Sequence, residues 1–235
     1  MSDDLISVVI AVRNGERYLR SAIESILVQA YTPIEILLVD SHSTDHTRAI
    51  ARSYPQLRCL SQVNRGVADA RNLGIAAARG SLIAFLSHDD LWTSSKLRSQ
   101  VGYMKSFPHL QYTVGRAKFF LEPGMAPPSG FRRELLIGDH EAHIPETLLA
   151  RRSVFNEIGV FNPHLTTGED VDWFARAKDK QIPCAVIPKV LLHKRVHDSN
   201  TSLNDPACNQ ILLSVMRQSI ARKRKVTDDM HGRPT

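Results

Sequence analysis

The sequence predicts an α/β protein with a mainly parallel central sheet flanked by helices. Continuous apolar, β-branched runs such as residues 6–12 are typical of strands that are buried on both faces. In the first 106 residues such runs alternate with stretches of helical spacing, in about four strand–helix units. The length also fits, because 235 residues with 43% hydrophobic side chains are enough for one sizeable core.

The elements of the first half follow from this alternation. The predicted strands are residues 6–12, 34–39, 58–61 and 81–86. The predicted helices are residues 16–29, a helix that ends at residue 53, and residues 67–78. Ser43 or Thr44 is expected to cap the second helix, and Gly80 to stop the third.

The second half is less regular. The strands predicted here are residues 111–120, 144–150, 184–187 and 190–194, with a Pro/Gly-rich loop at 122–130. The predicted helices are residues 152–158, 170–180 and 207–226. The last of these is amphipathic, with four apolar residues expected on one face: Leu212, Val215, Met216 and Ile220.

Composition separates a near-neutral body from a basic tail. Five basic residues and no acid lie within residues 207–226, so most of the net charge of +6 comes from there. A broadly basic nucleic-acid binder is therefore not expected. We expect one domain over residues 1–206, with halves at 1–106 and 107–206, followed by the basic tail at 207–235.

The expected location is the cytoplasm. No apolar run approaches the roughly 20 residues that a membrane-spanning helix needs. The start, MSDD, has no basic region and does not resemble a secretory signal. Three widely separated cysteines fit a reduced protein better than a disulfide framework. The amphipathic tail leaves open a peripheral contact with the inner face of a membrane, or simple packing against the body.

Polar side chains follow three of the predicted parallel strands. Residues 13–14 follow the first strand, residues 40–41 the second, and residues 87–90 the fourth. In open α/β sheets, ligands bind at the carboxyl ends of the strands. The sequence therefore predicts the functional site at this edge of the sheet.

Four blocks in order give the chain a family resemblance. They are VVIAVRNGERYL, ILLVDSHSTDHT, NRGVADARNLGIAAARGSLIAFLSHDDLW and GVFNPHLTTGEDVDWFARA. Together they resemble family 2 glycosyltransferases, over roughly residues 5–198. The resemblance implies a GT-A fold and inverting, metal-assisted transfer of a sugar from a nucleotide-diphosphate sugar, with a UDP-sugar as the expected donor.

The resemblance also implies a binding site for the donor nucleotide. Asp40 would accept a hydrogen bond from uracil, and the turn at Ala11, Val12 and Arg13 would supply backbone contacts. Arg71 would lie near the base and the diphosphate, where a guanidinium suits phosphate oxygens. The structural alternatives are that Asp40 caps the following helix and that Arg71 is a surface arginine.

The stretch FLSHDDLW lies where the family has its metal-binding D-x-D motif. Asp89 matches the ligand of Mg²⁺ or Mn²⁺, and one carboxylate suffices for a hard cation that also takes phosphate oxygens and water. Ser87 replaces the first acid and would bind a ribose hydroxyl. We expect weaker metal binding than usual, and tighter binding in Ser87→Asp. His88 is either a further metal ligand or solvent-facing, and Asp90 is expected to cap the turn into the next helix.

The acceptor side of the site is expected in the second half. Asp170 aligns with the family's catalytic base, and Glu169 is its expected positioning neighbour. Physics alone equally allows both to be ordinary acids at a helix N-terminus. Arg195 and His197 are candidates for contact with the donor phosphates or for a third metal ligand, although a lone histidine is often structural.

The expected function is thus glycosyl transfer from a nucleotide-sugar donor to a hydroxyl acceptor, which is a glycan, a lipid-linked molecule or another compound. The alternative is a GT-A module that binds nucleotide or a partner without transfer, because Ser87 departs from the motif. A sugar nucleotidyltransferase would need a Gly-rich loop after the first strand, and AVRNGERY is not one. Binding of a second copy of the chain is left open.

Overall fold

Residues 4–64, 66–200 and 208–231 are described by a computed structural model. In these residues nine strands form one sheet. The strands are β1 (Ile6–Val12), β2 (Ile34–Asp40), β3 (Leu57–Ser61), β4 (Leu82–Ser87), β5 (Leu91–Trp92), β6 (Tyr112–Phe120), β7 (His140–Ala142), β8 (Leu149–Arg151) and β9 (Cys184–Arg195). The helices are α1 (Leu19–Leu27), α2 (Thr47–Arg52), α3 (Val67–Ala77), α4 (Lys96–Ser106), α5 (Val154–Ile158), α6 (Glu169–Asp179) and α7 (Cys208–His231).

The sheet has the order β3-β2-β1-β4-β8-β6-β9-β5, and β7 pairs with β6. Strands β1 to β4 are mutually parallel, whereas β8 runs antiparallel to both β4 and β6. The register places Val12 opposite Asp40 and Ala11 opposite Ser87. The predicted mainly parallel sheet is therefore confirmed, and its strand ends bring the predicted donor-site residues to one edge.

The core lies on both faces of the sheet. Side chains alternate along β1, so Ile6, Val8 and Ile10 pack on one face while Val9 packs on the other. Helix α3 approaches β1 closely at Gly74, where an added Cβ would lie 2.3 Å from Cγ1 of Val9. This close packing sets the position of α3, which carries Arg71.

Three predicted elements are corrected by the structure. Helix α2 begins at Thr47 rather than near residue 43. The two predicted caps bind Asn14 in the loop after β1 instead: Oγ of Ser43 accepts from the backbone N–H of Asn14, and the backbone N–H of Thr44 donates to Oδ1 of Asn14. The strand predicted at 144–150 is a short 3₁₀ turn, Pro145–Thr147, followed by β8. The two strands predicted at 184–194 are the single strand β9, which continues through a register shift against β6.

Helix α7 packs along α6, and this packing divides the apolar face that the sequence predicted. Val215 is 3% exposed, whereas Met216 and Ile220 are 61% and 50% exposed and lie near the exposed Leu213. The single predicted face was therefore wrong, because one set of apolar residues packs inward and another points outward. The side chain of Leu212 lies outside the described residues. None of the described helices combines the length and apolar character needed to cross a membrane.

Two polar contacts fasten α7 to the end of α6. Oδ1 of Asp179 accepts a hydrogen bond of 2.7 Å from Ser219, and Oδ2 accepts one of 2.8 Å from Nε of Arg222. At the other end of α6, Ile211 of α7 lies against Gly168, where an added Cβ would be 3.1 Å from its side chain. The described part of α7 thus contacts α6 near both ends of α6.

Candidate active site

Two adjacent carboxylates follow β4, and they have different surroundings. Asp90 is fully buried and accepts hydrogen bonds of 2.9 Å from Nζ of Lys194 and 2.8 Å from the backbone N–H of Arg195. Burial raises the pKa of its carboxyl. Asp90 therefore ties the end of β4 to β9, and the prediction that it caps the turn into the next helix was wrong.

Asp89 lies beside it but keeps part of its surface exposed. Its Oδ2 is 3.0 Å from Nε2 of His197, and its backbone carbonyl accepts a hydrogen bond of 2.8 Å from Nε of Arg195. Burial acts to raise the pKa of Asp89, but the hydrogen bond from His197 and the nearby cations outweigh it and hold the pKa well below the ordinary value. Asp89 is therefore ionised.

Arg195 and His197, the two predicted phosphate contacts, already have partners within the protein. Arg195 is buried between the rings of Tyr18 and Phe120, at 4.4 and 4.7 Å, and forms an ion pair with Glu122. His197 lies 5.2 Å from the ring of Tyr18 and contacts Asp89. Both side chains border the site, and contact between either of them and a phosphate stays a prediction.

Arg71 is a buried bridge between two carboxylates. It donates to Glu169, and its Nη2 lies 3.2 Å from Oε1 of Glu146. Its guanidinium also lies 5.5 Å from the ring centre of Phe161. The alternative that Arg71 is a surface arginine was therefore wrong, since the residue is 7% exposed.

The first turn of α6 presents Glu169 and Asp170. The helix follows Gly168, whose positive φ of 70° turns the chain into the site at a conformation that favours glycine. Burial raises the pKa of Asp170; Arg71 opposes this effect, and Glu146 adds to it. Glu169 is buried against Arg71, whereas Asp170 remains half-buried. A half-buried carboxyl with a raised pKa has the properties of a general base.

Glu146 is a site residue that the sequence analysis missed. It lies in the 3₁₀ turn Pro145–Thr147, and its Oε1 accepts a hydrogen bond of 2.6 Å from Oγ of Ser87. Burial acts to raise its pKa, but Lys194, Arg71 and the bond from Ser87 outweigh this effect and lower it. One indirect sign of Glu146 was present in the sequence: with Ser87 in place of the first acid, the D-x-D motif lacks a carboxylate.

Asp40 ends β2 in a buried position near the same edge. Oδ1 accepts from the backbone N–H of Ser43 at 3.1 Å, and Oδ2 from Nε of Arg48 at 2.6 Å. Burial acts to raise the pKa of Asp40, but these partners outweigh it and lower the pKa. Asp40 organises the loop before α2 without capping that helix, which begins at Thr47.

The remaining predicted residues surround the end of β1. Ala11 is half-buried, Val12 is buried and Arg13 is exposed. His88 is half-buried against Gly15, where an added Cβ would lie 2.8 Å from Cδ2 of the imidazole, so it is not a freely solvent-facing histidine. This packing leaves its predicted role as a metal ligand untested.

Within the described part of the chain, no group of three or more His, Cys, Asp or Glu side chains is arranged to bind a metal ion. Asp89 nonetheless fits a hard divalent cation, because its carboxylate is ionised and partly exposed. Such a cation takes its other ligands readily from phosphate oxygens and water. The chemistry of the site thus suits a metal that arrives with a diphosphate.

A family model and several known proteins match this chain. Residues 7–165 match the model of glycosyl transferase family 2. An uncharacterized glycosyltransferase of Rickettsia typhi is 31% identical over 224 residues, which cover 88% of this chain and 68% of that protein. The Escherichia coli protein WfaP, a UDP-Glc:alpha-D-GlcNAc-diphosphoundecaprenol beta-1,3-glucosyltransferase, is 36% identical over 106 residues, covering 44% of this chain and 42% of that protein. A Rickettsia felis glycosyltransferase is matched over only 38% of its length.

Solved structures share the fold. The structure of S. aureus TarS 1-349 in complex with UDP-GlcNAc gives a TM-score of 0.74 at 20% identity, covering 92% of this chain and 66% of that one. The mannosyltransferase PcManGT from Pyrobaculum calidifontis, in complex with GDP-Man and Mn²⁺, gives a TM-score of 0.64 at 15% identity, covering 99% and 77%. The α/β sheet described above is therefore a GT-A fold.

Proposed function

The chain belongs to glycosyl transferase family 2, and on that premise we propose that it transfers a sugar from a UDP-sugar to an acceptor hydroxyl, with inversion and with the help of a divalent metal. One observation carries the proposal. A continuous hydrogen-bonded path joins Ser87 at the end of β4 to Glu146, then to Arg71, and then to Glu169 at the start of α6. This path fixes the predicted donor edge of the sheet relative to the predicted base.

In this proposal Asp170 takes the proton of the acceptor hydroxyl as its oxygen attacks the anomeric carbon. Glu169, bound to Arg71, sets the orientation of the helix turn that presents Asp170. Direct attack from the side opposite the leaving diphosphate inverts the anomeric centre. Most of the remaining rate enhancement comes from alignment of the reacting atoms.

The donor is supported by the site and by similar proteins. Asp40 ends β2 opposite Val12, at the strand edge where nucleotides bind in such sheets. WfaP carries UDP-Glc in its name, and TarS was solved with UDP-GlcNAc. We therefore place the uracil at Asp40 and the ribose at Ser87, with Arg71, Arg195 and His197 on the side of the diphosphate.

The metal is proposed to bind at Asp89, as Mg²⁺ or Mn²⁺. PcManGT was solved with Mn²⁺ and GDP-Man, which supports metal use in this fold. When bound, the cation would offset the negative charge that develops on the leaving diphosphate. His197, within hydrogen-bond distance of Asp89, would orient that carboxylate.

The proposed acceptor class is a lipid-linked molecule met at a membrane surface from the cytoplasmic side. WfaP has a diphosphoundecaprenol acceptor in its name. In this chain, Leu213, Met216 and Ile220 are exposed on α7, within the basic segment 207–226. On an anionic surface each basic residue near the lipid contributes about 1 kcal/mol to binding.

Vesicle co-sedimentation tests this surface. The full chain is expected to pellet with anionic vesicles at low salt, and a Met216→Ser/Ile220→Ser variant is expected to stay in the supernatant. Ile137→Ser, which changes an exposed apolar residue far along the chain, is the matched control. Equal pelleting of all three proteins, or none, contradicts a membrane role for α7.

A nucleotide-sugar screen tests the function itself. With Mn²⁺ present, the cognate UDP-sugar at 100 times its dissociation constant stabilises the fold by about 2.7 kcal/mol. Release of UDP from that sugar, by hydrolysis or by transfer, then separates an enzyme from a binding module. Stabilisation without any turnover, over a broad range of acceptors, would favour the non-catalytic module; no stabilisation by any nucleotide-sugar contradicts the proposal.

A further inference from the structure

Position 87 combines a missing acid with a carboxylate from elsewhere in the chain. Ser87 stands where the family motif has its first acid, and its hydroxyl donates to Oε1 of Glu146, at 2.6 Å. These residues are 59 positions apart. The negative charge that the motif lacks is therefore present beside it, brought there by a different loop.

We propose that Glu146 acts as a positioning residue that makes the hydroxyl of Ser87 a pure hydrogen-bond acceptor toward a ribose hydroxyl of the donor nucleotide. The inference rests on the proposed function, because it needs a nucleotide bound at this edge of the sheet. It adds a specific role for Glu146. It also explains how a serine takes the place of an acid.

The number of protons available fixes the direction of the hydrogen bond between Ser87 and Glu146. A serine hydroxyl has one proton to donate and lone pairs with which to accept. An ionised carboxylate only accepts, and Arg71 and Lys194 keep Glu146 ionised. The proton of Ser87 is therefore committed to Glu146, so its hydroxyl has only lone pairs left for a ligand. An aspartate at this position would likewise offer only acceptors to the ribose.

The turn that carries Glu146 is anchored to neighbouring elements. Two backbone carbonyls of this turn, and that of Leu148 directly after it, accept hydrogen bonds from side chains of β5 and α4. Nε1 of Trp92 donates to the backbone carbonyl of Glu146 at 2.9 Å, and Nε2 of Gln100 donates to the backbone carbonyl of Thr147 at 2.9 Å. Nζ of Lys96 lies 3.4 Å from the carbonyl of Leu148. These bonds hold the backbone of the turn, and Arg71, whose Nη2 lies 3.2 Å from Oε1 of Glu146, holds the carboxylate itself.

An aspartate at position 87 would have Glu146 as a neighbour. The sequence alone led us to expect that Ser87→Asp tightens metal binding. In the structure this change places a second carboxylate, at a half-buried position, within reach of the buried Glu146, where two like charges disfavour each other. The place therefore accommodates one acid, either Glu146 beside a serine or an aspartate at position 87 without that glutamate. Two acids together would repel each other.

Binding of UDP in the presence of Mn²⁺, measured by calorimetry on the full chain, tests this prediction. Ser87→Asp is expected to weaken binding by about tenfold or more, because of the added like charge. Glu146→Gln alone weakens it a few-fold, since a neutral amide no longer dictates the direction of the Ser87 proton. The double variant Ser87→Asp/Glu146→Gln recovers to within about threefold of wild type, because the amide can donate to the new acid. Ser94→Asp, in an exposed turn, controls for added charge.

Deoxy nucleotides give a readout that a purely structural role would not change. Wild type is expected to bind 2′-deoxy-UDP or 3′-deoxy-UDP several-fold more weakly than UDP, whereas Ser87→Ala makes no such distinction. The apo unfolding temperature of each variant shows whether its fold is intact.

The outcomes separate the two proposals. If Ser87→Asp binds UDP as well as wild type, if the double variant is no better than Ser87→Asp, or if Ser87→Ala still discriminates the deoxy nucleotides, the role of Glu146 is wrong while the donor site stands. If wild type binds no uridine nucleotide at all, the proposed function fails, and this inference fails with it.

Discussion

Two pairs of neighbouring acids, Asp89-Asp90 and Glu169-Asp170, come from distant parts of the chain and have similar surroundings. In each pair one member is buried and ion-paired: Asp90 with Lys194, and Glu169 with Arg71. The other member, Asp89 or Asp170, keeps part of its surface exposed. In each pair the buried carboxylate therefore holds the fold together, and the exposed one remains available to a ligand.

The exposed members differ in the direction of their pKa. For Asp89, the effect of burial is overcome by His197 and nearby cations, and its pKa is lowered. For Asp170, burial prevails over the opposing Arg71, and its pKa is raised. These opposite directions fit the two proposed roles, in which Asp89 binds a cation and Asp170 accepts a proton.

The largest expected effect is on turnover in Asp170→Asn. Loss of a general base lowers kcat by roughly a hundredfold to ten-thousandfold. Binding of UDP-sugar should stay within about twofold of wild type, because the base acts on the acceptor. Steady-state kinetics and calorimetry measure the two quantities, with the exposed Glu157→Gln as control. Lost donor binding with preserved transfer would overturn the assignment of Asp170 as the base.

The next expected effect is on the free energy of unfolding, when the cation beside the buried acid Glu169 is removed. Arg71→Met leaves Glu169 and Glu146 buried without their shared cation, and we expect a loss of about 3 kcal/mol or more in the free energy of unfolding. Urea denaturation measures it. Arg79→Met, at an exposed arginine after the same helix, should change stability by less than about 0.5 kcal/mol. Equal losses in both variants would show that Arg71 is not a buried bridge.

A smaller effect is expected for Asp89→Ala, and only with metal present. Affinity for UDP-sugar should fall at least about tenfold in Mn²⁺ and change little in a chelator, because Asp89 acts through the cation. Calorimetry under both conditions checks this. Equal affinities of wild type and variant in Mn²⁺ would remove Asp89 from the metal site.

The smallest expected effect is on the pH dependence of kcat, which reports the raised pKa of Asp170. A base must be deprotonated to act, and a raised pKa means that it becomes protonated at a higher pH than usual. On acidification, kcat at saturating donor should therefore fall at a pH above the value of about 3.9 for an unperturbed aspartate. A pH profile of kcat with an intact fold measures it. An acidic limb at or below that value argues against Asp170 as the base.

The first half of the fold could be predicted closely, for a physical reason. Continuous β-branched runs mark buried strands, so β1 was predicted at its observed bounds and β2 to within one residue. Parallel pairing then placed Asp40 and Ser87 at one edge. The motif order also identified the family, and the family model confirms it.

What the sequence did not predict depends on contacts between distant segments. Glu146 lies in a turn without a recognisable motif, and its importance appears only when Ser87 and Arg71 are seen beside it. The partner of Asp90 is over 100 residues away on β9. Periodicity also cannot tell which apolar residues of α7 meet α6, so Val215 and Met216 were placed together wrongly. The division at residue 206 and the roles of the site residues stay predictions.

The attachment of α7 to α6 has a geometric consequence. Helix α6 is 11 residues long, and at about 1.5 Å per residue its two ends lie roughly 16 Å apart. Asp170 lies at the end that Ile211 contacts, and Asp179 secures the other end. If the proposed membrane contact of α7 holds, the helix pair sets the distance between the membrane surface and Asp170. A lipid-linked acceptor would then be selected by how far its hydroxyl extends from that surface.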